Sequence, residues 1–138
     1  MSTVATSQIE LRIPRRPEFV KLARCTAWSL AAQLDFLVSQ ADDIKLAVGE
    51  ACTNAIEHLP ASAPEDLMVR FTVAPEKLVI EVVDNGPGFD PSRVGDCDCD
   101  ETGGLGLVII RSIMDEVDVI CDPATGTCVR MAKLRTSR

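Results

Sequence analysis

From Gln8 to Ile13 hydrophobic and polar residues alternate with a period of two, and Ile9, Leu11 and Ile13 fall on one side. That pattern predicts a half-buried strand. Pro14 closes it, and Pro17 suits the first turn of a helix. Beyond it the period lengthens: Phe19, Leu22, Ala23, Thr26, Ala27, Leu30 and Leu34 recur at helical spacing. Asp42 or Asp43 can cap a second helix running to about His58, with an apolar stripe of Ile44, Val48, Ala51, Cys52, Ala55 and Leu59. Residues 60–65 read as a loop. Leu67, Val69, Phe71 and Val73 alternate as a strand, and Leu78 to Val83 is another, with Pro75-Glu76-Lys77 turning between them. Gly86 to Gly103 is turn-rich and predicts a long surface loop. Leu105 to Glu116 is apolar and helical, and Val117 to Cys121 with Gly126 to Leu134 make a last strand pair around Asp122–Thr125. The order β-α-α-β-β-α-β-β predicts an α/β sandwich.

At 138 residues the chain fits one domain, residues 1–138, and its 46% hydrophobic and 25% charged content is ordinary globular composition. The net charge of −7 argues against a protein that grips phosphate backbones, so no direct contact with nucleic acid is expected. Most of the excess sits in one stretch: residues 81–101 hold seven acidic groups and one basic group. The longest apolar run, Leu105 to Ile110, is far short of the roughly 20 residues a membrane helix needs. The first fifteen residues lack the order of a signal peptide. A soluble, cytoplasmic domain is expected.

The six cysteines, without an export signal, read as reduced thiols, and Cys25, Cys52 and Cys121 read as small buried hydrophobes. Cys97 and Cys99 are too close together for a structural zinc pair, and no second pair follows. Asp96, Asp98 and Asp100 alternate as in a calcium loop, but Glu101 stands where that loop needs Gly and Leu107 where it needs Glu.

Three segments carry candidate chemistry. On the second helix Glu50 and Asn54 lie one turn apart, away from the apolar stripe, which taken alone describes a solvated face. Asp84-Asn85-Gly86-Pro87-Gly88-Phe89 follows an apolar strand, so a carboxylate sits at the strand end beside a sharp turn, although such turns also occur for backbone reasons alone. Gly103-Gly104-Leu105-Gly106 opens an apolar helix, where amide groups and the helix dipole favour an anion. Neither a dinucleotide fingerprint nor a P-loop is present. His58 is the only histidine, which disfavours histidine-centred catalysis.

Together, in order and spacing, these segments resemble the ATP-binding boxes of the histidine-kinase-like (GHKL, Bergerat-fold) ATPases. The nearest likeness within that family is to the anti-sigma factor serine-protein kinases of bacterial partner-switching systems. The stretches 47–58, 83–89 and 103–117 carry it, with Ala32-Gln33-Leu34-Asp35 in the first helix. The resemblance implies a two-layer sandwich whose mixed, mostly antiparallel sheet is covered by helices on one face. It implies that Asp84 accepts a hydrogen bond from the adenine amine with support from Thr127, and that Gly86 and Gly88 shape the adenine side. Asn54 would hold Mg²⁺, while Gly103, Gly104, Leu105 and Gly106 would line the triphosphate of ATP. Glu50 would be the general base toward a partner's serine. Residues 90–102 would form a lid and 133–138 a loose tail. The implied partners are an anti-anti-sigma-like protein substrate, a sigma factor and a second copy of the chain in a homodimer. The acidic stretch before the glycines leaves one alternative: an ATP-sensing binding module that transfers no phosphate.

Overall fold

The computed structural model describes residues 7–58, 66–84, 99–122 and 126–135. Strand β1 spans Ser7–Pro14, and a single 3-10 turn at Pro17–Phe19 leads into α1, Val20–Gln33. Then come α2 (Val38–His58), β2 (Asp66–Val73), β3 (Lys77–Asp84), α3 (Cys99–Ile113), β4 (Glu116–Asp122) and β5 (Gly126–Leu134). The element order is the one the hydrophobic pattern predicts. The five strands form one sheet in the order β1-β2-β3-β5-β4, and every described neighbouring pair is antiparallel, so the sheet has no parallel component. Lys133 and Leu134, read above as the start of a tail, belong to β5.

Alternation decides the two faces of the sheet. Ile13, Leu67, Val69, Phe71, Leu78, Ile80, Val82, Val129 and Met131 point to one side and join the buried cluster with the helices. On the other side a single register row crosses all five strands: Glu10, Arg70, Glu81, Arg130 and Asp118. The signs alternate along it, with Arg70 Nε 3.0 Å from Glu10, Arg70 Nη1 3.3 Å from Glu81 and Arg130 Nη1 3.8 Å from Asp118. Opposite charges directly across a strand pair each stabilise by a few tenths of a kcal/mol to about 1 kcal/mol. The row also resists a register slip, since a shift of one residue would break the ion pairs and turn the charges to the buried face.

Small residues bring the helices together. Ala23, Ala27 and Ala31 form the buried stripe of α1, against Ile44, Ala47, Val48, Ala51 and Cys52 of α2. Leu22, expected in that stripe, is 53% exposed, because the seam lies along the alanines. At the same seam a Cβ on Gly49 would sit 3.0 Å from Cδ of Arg24, so the exposed arginine stem would have to give by a few tenths of an ångström. Cys25 is exposed, which corrects its reading as a buried hydrophobe, while Cys52 is fully buried.

Helix α2 starts at Val38, four residues before Asp42 and five before Asp43. The Leu37 amide donates to Gln40 Oε1 at 2.9 Å, the returning half of a capping box, and the helix begins at once. Asp42 and Asp43 are therefore inside the helix, where Asp42 accepts from Trp28 Nε1 at 3.0 Å. Just before, α1 ends in a Schellman turn: the Phe36 amide bonds the Ala31 carbonyl at 3.1 Å and the Asp35 amide bonds Ala32 at 3.2 Å. Asp35 takes φ 64° to close it. A side chain in that region is strained, so Asp35→Gly should raise the unfolding free energy by about 0.5–1 kcal/mol. Urea unfolding of the two proteins checks this; a destabilised glycine variant would contradict it.

Candidate functional site

The site is built where the end of β3, the start of β5 and the helices α2 and α3 converge. Asp84 closes β3 on the helix-facing side of the sheet and is 6% exposed. Its Oδ1 accepts the Thr127 amide at 3.2 Å, from the second residue of β5. A carboxylate this buried is tolerable only with hydrogen-bond donors around it. Chain alternation explains the position: Leu78, Ile80 and Val82 point inward, and so must Asp84.

Helix α2 packs on both β3 and α3. It presents Glu50 and Asn54, both half-buried, one turn apart. Glu50 meets α3 at Gly106, where an added Cβ would stand 3.2 Å from Glu50 Oε1 and 4.0 Å from its carbonyl oxygen. The glycine therefore keeps the carboxylate close to the α3 backbone. Gly106→Ala should make α3 more stable by up to about 1 kcal/mol through helix propensity, yet displace the Glu50 carboxylate by a few tenths of an ångström. The expected result is a higher melting temperature; an unchanged or lower one would mean that crowding Glu50 costs as much as the helix gains.

Asp84 thus meets Thr127, and Glu50 meets Gly106 of the glycine segment. Gly86 and Gly88 lie outside the described residues, as do residues 90–98 of the expected lid. The glycine segment itself needs a correction. Gly103, Gly104, Leu105 and Gly106 do not precede a helix but lie within α3, which begins at Cys99. Only the first four amides of a helix lack intrahelical acceptors, so those from Gly103 onward belong to the helix ladder. For the glycine amides to meet an anion, the first turns of α3 must unwind.

Sequence reasoning missed Lys133. It is 9% exposed on the helix-facing side of β5 and donates to Asp43 Oδ2 at 3.4 Å and to the Ile113 carbonyl. The signal was available, since Val129, Met131 and Lys133 share inward parity. Burial raises the Cys52 thiol to about 12 and the Cys128 thiol to about 11, so neither supplies a thiolate near neutral pH. Among the described residues no cluster of three or more His, Cys, Asp or Glu could hold a metal ion, and no helix is long and apolar enough to cross a membrane.

The arrangement fits an adenine nucleotide. A buried carboxylate can read an exocyclic amine, and Asn54 offers a hard amide oxygen of the kind Mg²⁺ takes beside waters and phosphates.

A family model for the histidine kinase-like ATPase domain matches residues 13–133. A curated relative from Bacillus licheniformis, named Serine-protein kinase RsbW, is 36% identical over 140 residues, covering 94% of this chain and 86% of the relative. A protein of the same name from Listeria monocytogenes is 34% identical over 137 residues, covering 91% and 86%. Among solved structures, the RsbU and RsbW domains of a Mycobacterium tuberculosis protein superpose with a TM-score of 0.69 at 18% identity, over 96% of this chain and 34% of that one. The histidine kinase domain of a blue-light activated kinase from Erythrobacter litoralis gives 0.60 at 24% identity, over 98% and 66%. These two likenesses concern the fold.

Proposed function

The chain belongs to the histidine kinase-like ATPase domain family, and on that premise we propose that it is an ATP-dependent serine/threonine protein kinase. Its substrate in this reading is an anti-sigma factor antagonist, and it also binds a sigma factor, as a cytoplasmic homodimer in a partner-switching system. The names of relatives that span most of the chain support the class of activity. The observation that carries the chemistry is the placement of Glu50, one turn from Asn54 and against Gly106, on the helix that packs on β3.

Asp84, held by the Thr127 amide, would accept the adenine amine and so orient the base. Guanine carries a carbonyl at that place and would set two acceptors against each other, which costs about 1–3 kcal/mol. Asn54 would hold Mg²⁺ through its side-chain oxygen; the bound ion neutralises charge on the phosphates. Glu50 would take the proton of the partner's serine hydroxyl as its oxygen attacks the γ-phosphorus in line, and ADP would leave with the bond electrons.

The test is transfer of labelled phosphate from ATP to the small proteins that copurify with the chain, with Mg²⁺ and with chelator. Label on a serine of a small protein, only with Mg²⁺, is the expected result. Nucleotide binding without transfer would replace this reading by the ATP-sensing module.

A further inference from the structure

Lys133 makes a contact that the nucleotide site does not use. It leaves the core face of β5 as a buried cation and reaches two helices at once: Asp43 Oδ2 near the start of α2, 3.4 Å away, and the carbonyl of Ile113, the last residue of α3. A cation at a helix C-terminus also meets the negative end of the dipole. The same two helices also meet at Glu50 and Gly106. Glu50 lies seven residues after Asp43, and Gly106 seven residues before Ile113. The helices therefore run antiparallel, and the two contacts stand two turns apart on each, about 10 Å. A slide of α3 along α2 that moved Gly106 away from Glu50 would have to pull Ile113 off Lys133.

We propose that Lys133 is a positioning residue, which fixes the register of α3 on α2 and through it the Glu50 carboxylate at the reaction centre. This rests on the kinase reading above. Strand β5 then serves both ends of the site, with Thr127 holding Asp84 at its start and Lys133 clamping the helices near its finish. The two jobs are separable. Loss of the clamp leaves the Asp84–Thr127 pair intact, so it should slow transfer without weakening nucleotide binding. A residue that only stabilised the fold would change the melting temperature and leave both constants alone.

The experiment compares the parent with Lys133→Met and Asp43→Asn. Methionine keeps the apolar stem and removes the charge, a replacement that buried ion pairs often tolerate. Asp43 is half-exposed, so its variant keeps the test open should the first fail to fold. Three quantities are read: amide hydrogen exchange, nucleotide Kd, and the single-turnover rate of transfer at saturating ATP. In Lys133→Met, amides after Gly106 in α3 should exchange at least tenfold faster, with those of β2 and β3 unchanged. Transfer should fall about tenfold while Kd stays within twofold. Asp43→Asn should shift the same quantities less, and the double variant should be no worse than Lys133→Met alone. Parent-like exchange and transfer in both variants would overturn the proposal, and so would faster exchange with unchanged transfer. A parent that transfers no phosphate, with exchange still accelerated in α3 of the variant, would leave the clamp standing and refute the kinase reading instead.

Discussion

The Glu50→Gln variant should bind ATP with an affinity within about twofold of the parent and transfer phosphate 10²–10⁴-fold more slowly. Glutamine has nearly the same shape, so the packing of α2 against Gly106 survives, and with it the 3.2 Å spacing that makes the glycine necessary. What changes is the ability to accept a proton. An amide oxygen can hydrogen-bond the serine hydroxyl but cannot remove its proton, and the alkoxide then has to form unaided. Losing one negative charge near the triphosphate would, if anything, tighten binding. Single-turnover transfer and nucleotide titration on the same preparation separate the two effects. Parent-like transfer would mean that another group is the base.

The second large effect belongs to Asp84→Asn. The Thr127 amide can still donate to the asparagine oxygen, so the 3.2 Å contact between β3 and β5 survives and the melting temperature should move little. The other side of the group turns from acceptor to donor. The adenine amine then faces an NH₂ in a buried place, at 6% exposure. A mismatch of that kind is worth about 1–3 kcal/mol, which is a 5- to 150-fold loss in affinity for ATP and ADP. Calorimetric titration of both proteins with ADP reads it directly. Equal affinities would remove Asp84 from the adenine pocket.

Much of the architecture is visible in the chain because one face of the sheet is apolar against the helices while the other carries the charged row. Alternation in β1 and β2 and the apolar run of β3 give the strands, and the parity of β3 places Asp84 with Ile80 and Val82 on the buried side. Helix limits were harder to read. Asp42 and Asp43 look like caps, yet they serve as tertiary anchors for Trp28 and Lys133, while Gln40 does the capping. Local sequence does not say which of three polar residues will find a distant partner. The apolar run suggests a helix from Leu105, opened by the glycines, whereas α3 extends back to Cys99. Leu22 and Cys25 were misplaced for a related reason. A 3.6-residue period marks a face, but only the approach of α2 shows that the seam runs along Ala23, Ala27 and Ala31. Glu50 and Asn54 were legible as a pair on one face, and their meaning came from the order of the three segments together. Lys133 had its parity and was passed over, since a lone lysine near a chain end is usually solvated.

The central claim is that Asp84, Asn54, Glu50 and the glycine segment of α3 face one bound nucleotide. A crystal structure with Mg²⁺ and a non-hydrolysable ATP analogue tests it most directly. The account predicts the adenine amine within hydrogen-bond distance of Asp84, the metal on Asn54, and the first turns of α3 unwound so that glycine amides reach the phosphates. A nucleotide bound elsewhere, or an Asp84 carboxylate sealed off from the base by packed side chains, would contradict it.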